Sequence, residues 1–295
     1  MNRSRLAKGR TTVDRTGVRR GDAVKRFLAH AGLIAGALIM LYPLLWMISA
    51  SLRPNHEIFQ HAGLIPEHPT LGNYALGWSS TGTSFGIYLT NSLIICAAVV
   101  IGNVLTCSLT AYAFARLTFV GRKTLFGLML ATIMLPGHVT LIAQYSIFRD
   151  LNWIDTFWPM IVPSFLATDA FFVFLMVQFI RSIPVELDDA ARIDGCGAWG
   201  IYRRIILPLL SPALVTTAIF SFIWTWNNFF SQLIYLSTRT RLTVPVALRG
   251  FLDSTGSSEW GALFAMSVVT LVPVVVVFVV FQRRILAGMA HTGLK

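Results

Sequence analysis

The sequence predicts an all-α membrane protein that crosses the bilayer six times. Three observations support this fold class: the composition, a series of long uncharged segments, and an uneven distribution of positive charge. Of the 295 residues, 55% are hydrophobic and only 13% are charged, and the mean hydropathy is +0.66. A soluble domain has about 25% charged residues, and a disordered chain combines low hydrophobicity with high charge. The composition therefore disfavours both of these classes.

Five segments run for more than 20 residues without Asp, Glu, Lys or Arg, and a sixth, residues 157–180, contains only Asp169. A spanning helix needs roughly 20 mainly apolar residues to cross a hydrocarbon core about 30 Å thick. No segment alternates apolar and polar residues as the strands of an outer-membrane barrel do. Because backbone N–H and C=O groups within lipid must be paired inside the protein, helices are the remaining way to span the membrane. The predicted spans are residues 27–50, 88–114, 125–148, 157–181, 209–236 and 263–285.

The first span follows a basic segment, residues 1–26, that contains nine Lys and Arg residues. A cleaved signal peptide is the alternative, but the apolar run is longer than the usual h-region and no small-residue cleavage site follows it. We therefore expect an uncleaved span preceded by a cytoplasmic basic arm that faces anionic lipid. Nucleic acid is the other partner of such arms, and we do not expect it beside a membrane domain.

Positive charge gives the topology independently of hydropathy. Nineteen of the 24 Lys and Arg residues fall in the N-terminal arm, the second and fourth connections and the C-terminal tail, and five fall on the other side. The positive-inside rule then places both termini in the cytoplasm, and an even number of spans agrees, because it puts both termini on the same side. The chain is thus divided into the arm at residues 1–26, a six-helix transmembrane domain at residues 27–285, and a cytoplasmic tail at 286–295.

The connection between the fourth and fifth predicted spans, residues 182–208, differs from an ordinary short loop. Pro184 ends the preceding helix, acidic residues then favour the first turn of a new helix, and Gly195 can end that helix. A second amphipathic piece at residues 198–206 leads to Pro208, which can open the next span. The sequence predicts a cytoplasmic helix–turn–helix that a second protein could approach, and the alternative is a solvated interfacial loop.

This connection resembles the Glu-Ala-Ala (EAA) loop of ABC-importer permeases. That loop reads Glu-Ala-Ala, three residues, Gly, nine residues, Ile, one residue, Leu-Pro. The chain fits every spacing. The one departure is at the Glu position, where Asp189 keeps the negative charge on a shorter side chain. Several other short stretches look like those of maltose-type (MalG-like) permeases. These stretches are Leu71-Gly72-Asn73-Tyr74, Asn91-Ser92, Ala111–Arg116, Asp155-Thr156, Trp226-Asn227 and Gly293-x-Lys295.

The resemblance implies a MetI-like permease fold and one half of a heterodimeric sugar-import pore in a bacterial or archaeal inner membrane. It also implies three partners: a second, MalF-like permease, a cytoplasmic ABC ATPase dimer on which the EAA helix docks, and an extracytoplasmic binding protein that delivers the sugar. The chain has no G-x-x-x-x-G-K-[ST] phosphate loop, so we expect it to be no enzyme and to bind no cofactor, with ATP and Mg on the partner ATPase. The expected coupling residues are Glu186, Asp189, Ala190, Ala191, Asp194, Gly195, Ile205, Leu207 and Pro208.

Polar and aromatic residues within the spans are candidates for a substrate pathway, because polar groups are costly in lipid and usually face a bundle interior. Aromatic rings beside amide groups suit a sugar, which has apolar faces and hydroxyl edges. The alternatives are a packing carboxylate at Asp169 and an interfacial aromatic belt. The candidates are Gln144, Asp169, Trp226, Asn227, Asn228 and Gln232.

Other sites and functions have weaker support. The six histidines show no metal-ligand spacing, and three cysteines do not make a disulfide framework. A permease of the same superfamily for a non-sugar solute such as glycerol phosphate is the first alternative. An ion-coupled secondary transporter is the second, but it often carries inverted repeats and intramembrane ion ligands that this sequence does not show.

Overall fold

The computed structural model describes residues 15–60, 63–79, 82–252 and 258–292, with the side chains of residues 25–282 except His138. Within these ranges the chain is helical and contains no β-strand, so the predicted all-α class is confirmed. The first fourteen residues of the predicted arm and the last three of the predicted tail lie outside the described residues. The α-helices are α1 (Arg15–Ser51), α2 (Gly72–Ser79), α3 (Phe85–Arg116), α4 (Arg122–Ile133), α5 (Gly137–Asp150), α6 (Trp158–Ile161), α7 (Ala170–Ser182), α8 (Glu186–Ile193), α9 (Ala198–Ile201), α10 (Leu207–Leu209), α11 (Ser211–Trp226), α12 (Phe230–Tyr235), α13 (Val244–Arg249) and α14 (Trp260–Thr292).

Four of the six predicted spans are helical segments long and apolar enough to cross a membrane. They are Lys25–Ser51, Phe85–Arg116, Trp158–Ser182 and Trp260–Gln282. The third of these combines α6, a short 3₁₀ helix and α7, and it contains Asp169 as expected. These four segments agree with the sequence-based limits to within three residues at each end.

The predicted span at 125–148 is not one continuous helix, because the structure divides it into α4 and α5. The break lies at Met134–Pro136, and each half has fewer residues than a single crossing requires, 12 and 14. Pro136 has no N–H to donate, and its ring disfavours helical backbone at the preceding residue. The apolar composition of this segment was clear from the sequence, but its division at the proline was not predicted.

The predicted span at 209–236 is also interrupted. Residues 198–209 and α11 meet at an angle of 73°, and Pro212 lies in the first turn of α11. The long helix α11 therefore begins at Ser211, just before Pro212, and not at Pro208. Proline fits this first turn because the N–H groups there have no intrahelical partner. At its other end α11 stops at Trp226, and the short helix α12 follows.

Helix α3 lies at the centre of the bundle and packs against α7 and α11, while α14 packs against α11, α1 and α2. Two apolar cores result. One core joins the C-terminal half of α3 to α7 and to the 182–208 connection, with Phe172 and Met176 fully buried. The other joins the N-terminal half of α3 to α11, α13 and α14, with Phe85 and Met266 fully buried. The first core therefore holds the connection directly against the central helix.

Asp155 fastens the loop before α6 to the segment after α12. Its carboxylate accepts hydrogen bonds from the backbone N–H groups of Ser237 and Thr238 and from the Thr238 hydroxyl, at 2.9, 2.9 and 2.5 Å. Arg241 also lies against it, with a nitrogen–oxygen distance of 3.4 Å. Burial by itself raises the pKa of Asp155, but the hydrogen bonds and the Arg241 charge outweigh it and lower the pKa to about 2.

We expect this carboxylate to make stability depend on pH. Because its folded-state pKa is below the ordinary value of 3.8, its contribution is complete above about pH 4 and is lost as the pH falls towards 2. Thermal unfolding of the purified protein across this pH window should show a smaller loss for Asp155→Asn than for the wild type. Asp150→Asn is the control, since Asp150 pairs with Arg149 at an exposed site. A wild-type pH profile in Asp155→Asn would contradict the assignment.

Candidate functional site

The connection at residues 182–208 folds as two short helical pieces joined by a tight turn. Three acidic residues occupy the first turn of α8 and Arg192 its last turn, which is the arrangement that the helix dipole favours. The helix ends at Ile193, and Gly195 adopts a left-handed backbone with φ of +79°. Glycine takes this conformation without steric cost. The predicted helix, and its end at this glycine, are therefore confirmed.

A buried ion pair attaches α8 to the end of α3. The Nε atom of Arg116 lies 3.0 Å from Oδ2 of Asp188, and the two side chains are only 9% and 1% exposed. The same guanidinium donates a hydrogen bond to the carbonyl oxygen of Ile183 at 2.6 Å. Neither carboxylate oxygen of Asp188 accepts a hydrogen bond from the described residues, so Arg116 supplies the compensation for this buried charge.

Two tyrosines attach the second half of the connection to α3. The Tyr112 hydroxyl donates to the carbonyl oxygen of Ala198 at 3.0 Å, and the hydroxyls of Ser108 and Tyr202 lie 2.8 Å apart. The rings of Tyr112 and Tyr202 are in contact, with centroids 5.4 Å apart. Residues Tyr202–Ile206 form a π-helical turn whose inward residues join the core. The connection is thus packed on the bundle and is not a free loop.

The outer face of α8 is open. The expected coupling residues Glu186, Asp189, Ala190, Asp194 and Gly195 are all exposed, and a Cβ atom at Gly195 would meet nothing within 4 Å. The Asp189 that replaces the usual Glu pairs with Arg192 at 3.0 Å, where both side chains are more than half exposed. Leu187 on this face is 42% exposed. This surface, residues 186–195 on the outer side, is named here the α8 face.

The remaining expected coupling residues lie elsewhere. Ala191 faces inward and is 6% exposed. Ile205 and Leu207 pack against the core of α3 and α7, and Pro208 is exposed in α10. In the sequence, Asp188 is one of the acidic residues at the start of the predicted helix and Arg116 ends a stretch that resembles the family, but their pairing was not predicted. Their signal was a cation that ends an apolar helix and a carboxylate one position before the motif.

A cavity of about 570 Å³ lies where α3, α5, α11, α12 and residues 159–169 meet. This volume falls in the roughly 300–1,000 Å³ range of small-molecule sites. Four of the expected pathway residues line it, namely Gln144, Asp169, Asn228 and Gln232. Asp169 is the only charged side chain among the lining residues that the structure describes, and no Lys, Arg or His is among them.

The polar groups of the cavity differ in how far they are already bonded. Asn103 donates to Oδ2 of Asp169 at 3.3 Å and to Oγ of Ser221 at 2.9 Å. Its own Oδ1 is buried and has no hydrogen-bond partner among the described residues. Asp169 is at the N-cap of α7, yet its side chain does not cap the helix and lines the cavity. The amide of Gln232 is bonded within the protein, to Thr225 and Thr243.

Two of the expected pathway residues do not line the cavity. Trp226 is 4% exposed and stacks on Phe222, with ring centroids 5.5 Å apart. Asn227 donates to the carbonyl oxygen of Ile223 and ends α11. The aromatic residue of this helix that does line the cavity is Trp224, which is 46% exposed and stacks on Phe172. A helical period places positions 224 and 226 on different faces, and this signal was available in the sequence.

Comparison with known proteins agrees with this architecture. The family model described as "binding-protein-dependent transport system inner membrane component" matches residues 103–291. The chain belongs to this family. The match begins at Asn103 in the cavity and includes the whole α8 face, and of the described cavity-lining residues only Ile95 and Val99 precede it.

Individual relatives give the same assignment over nearly the whole length. The permease is 33% identical over 280 residues to an arabinooligosaccharides transport system permease protein, AraQ, of Halalkalibacterium halodurans, covering 94% of this chain and 99% of the relative. It is 32% identical to a trehalose/maltose transport system permease protein, MalG, of Thermococcus litoralis, covering 94% and 99%.

A solved structure shares the fold. A bacterial ABC transporter involved in the import of the acidic polysaccharide alginate matches with a TM-score of 0.77 at 22% identity, covering 90% of this chain and 97% of that one. The chain is thus the permease subunit of an ABC importer, with a MetI-like fold, and not its ATPase.

Several residues that carried the resemblance hold loops and do not line the cavity. Asn73 donates to the carbonyl oxygens of Ser51 and Arg53. Asn91 donates to the carbonyl oxygens of Thr240 and Leu242, both at 2.9 Å. Buried polar side chains that bond backbone groups in this way fix chain paths between helices. Their presence in the permease therefore reports a shared fold more directly than a shared substrate.

Proposed function

We propose that this permease forms half of the translocation pore of an importer for a neutral sugar or oligosaccharide. A second permease subunit completes the pore, an extracytoplasmic binding protein delivers the substrate, and a cytoplasmic ABC ATPase dimer drives the cycle by docking on the α8 face. The observation that carries the proposal is the combination of an exposed α8 face with a firmly held inner side. A helix presented in this way can enter a groove on a partner and transmit its movement.

The charge pattern supports the orientation within this proposal. Arg116, Arg122, Lys123 and Arg181 lie at the same end of the bundle as the α8 face. The positive-inside rule assigns such an end to the cytoplasm, where the ATP is. Both termini are then cytoplasmic, and the Asp155 network faces the binding protein.

The lining of the cavity supports a sugar. Trp224 and Trp153 offer ring faces, and Asn103 offers a buried acceptor oxygen with no partner in the described chain. Sugars present apolar faces and hydroxyl donors, which match these two features. The described lining residues include no Lys, Arg or His. Phosphate is usually bound by a cationic side chain, so this lining does not favour glycerol phosphate as the substrate.

The partner proposal is tested by purifying the tagged permease from gently solubilised membranes of its own host and identifying what co-elutes. We expect a second permease and an ATPase in a fixed ratio. A lone protein whose uptake in vesicles depends on a proton or sodium gradient would overturn the proposal. An ATPase that does not cross-link to single cysteines placed on the α8 face would overturn the docking part alone.

The cavity is tested with a pair of neighbouring tryptophans. Trp224→Ala is expected to reduce uptake of radiolabelled neutral oligosaccharides by about fivefold or more while the complex stays assembled, because an aromatic contact contributes about 1 kcal/mol. Trp226→Ala removes a buried ring and should instead destabilise the protein by about 3–5 kcal/mol. Equal effects of both substitutions on uptake per assembled complex would contradict a role for this cavity.

A further inference from the structure

We propose that the ion pair between Arg116 and Asp188 is the joint through which movement of α8 reaches the cavity. The proposal rests on the proposed function, because it takes the ATPase as the protein that moves α8. It assigns to Arg116 and Asp188 a positioning role, since neither side chain lies on the α8 face or in the cavity. Both act through α3.

Helix α3 joins the two sites without a break. Arg116 is its last residue, and Asn103, which lines the cavity, lies on the same helix. At about 1.5 Å per residue the two positions are roughly 20 Å apart along the axis. Asn103 bonds both Asp169 at the start of α7 and Ser221 in α11. A shift or rotation of α3 therefore changes the contacts of the polar lining.

On its inner side, α8 has few other contacts that could attach it to α3. The buried residues of this helix are Asp188 and Ala191, and a methyl group makes only a non-directional apolar contact. The ion pair instead holds Nε of Arg116 3.0 Å from Oδ2 of Asp188, and a poorly solvated site strengthens this attraction. Asp188 is the sequence neighbour of Leu187 and Asp189 on the α8 face. A force applied to that face is therefore passed to Asp188, and through the ion pair to Arg116.

A contribution of the ion pair to folding can be separated from a role in coupling. Replacing a buried ion pair by apolar residues of similar size is often neutral for folding. The double variant Arg116→Met/Asp188→Leu should thus keep the bundle folded and remove the electrostatic link between α8 and α3. Arg116→Lys should keep the link, because its Nζ reaches the region that Nε occupies, while losing the hydrogen bond to Ile183.

The experiment uses the whole transporter, purified with its own partners and placed in liposomes. ATP hydrolysis per assembled complex is measured with and without the binding protein, and the ratio of the two rates is the readout. The double variant is expected to assemble, but its ratio should be lower than that of the wild type by about fivefold or more, the low end of usual coupling factors. Arg116→Lys should keep most of it. Asp150→Asn, which breaks an exposed ion pair, should match the wild type.

Two results would overturn the proposal. A double variant that assembles and keeps the wild-type ratio would show that the ion pair only supports the fold. An Arg116→Lys ratio as low as that of the double variant would show that a positive charge beside Asp188 does not carry the coupling. Failure of the proposed function looks different, because then the wild-type permease carries no ATPase. The two failures are therefore told apart by the wild-type preparation itself.

Discussion

Replacement of Gly195 by Trp is expected to separate ATP hydrolysis from uptake in the assembled transporter. Gly195 lies on the exposed turn that follows α8, where an added Cβ atom would meet nothing within 4 Å, so an indole there would project into the region proposed to contact the partner ATPase. A mismatch on the scale of an interface hot spot, about 2 kcal/mol, weakens such a contact roughly 30-fold. Uptake into vesicles and ATP release, measured together, should show uptake falling by a similar factor while hydrolysis continues.

A matched control corrects for backbone strain. Gly121 has φ of +82°, close to the +79° of Gly195, and it also lies in an open turn, between α3 and α4. A side chain at either position adopts a conformation that only glycine takes freely, so Gly121→Trp carries the same strain outside the α8 face. It should leave uptake per assembled complex near the wild-type value. Normal uptake in Gly195→Trp would refute docking at this turn.

Removal of the Asp188 carboxylate is expected to be the most destabilising single substitution in the connection. In Asp188→Ala the Arg116 guanidinium, 9% exposed, stays in place without its counter-charge. Breaking one side of a buried ion pair costs about 3–5 kcal/mol. The measurement is the free energy of unfolding by denaturant in a mild detergent, with helix content as the signal.

The neighbouring residue supplies the comparison for that measurement. Asp189 pairs with Arg192 at the same 3.0 Å distance, but both side chains are more than half exposed. Exposed pairs contribute about 0–1 kcal/mol, so Asp189→Ala should have a small effect on the free energy of unfolding. If the two substitutions destabilise the protein equally, burial is not what gives the Arg116–Asp188 pair its strength.

Much of this permease could be predicted from its sequence, because lipid imposes a length and a composition on every crossing. Four spans, the all-α class, the helix at residues 186–193 and its end at Gly195 all follow from local signals, and the structure confirms them. The family also follows from one motif with its spacing, and the comparisons confirm it. The coupling role of the α8 face and the identity of the solute stay predictions.

The tertiary structure decided what local signals cannot. The predicted spans at 125–148 and 209–236 contain no charged residue, so hydropathy could not show that their helices break at Pro136 and before Pro212. The pairing of Arg116 with Asp188 and the cavity around Asn103 join residues more than 60 positions apart. Sequence determines which residues each helix must bury, since burial depends on period and polarity. Which helices meet, and so which polar groups share one site, is set by the packing of the whole bundle.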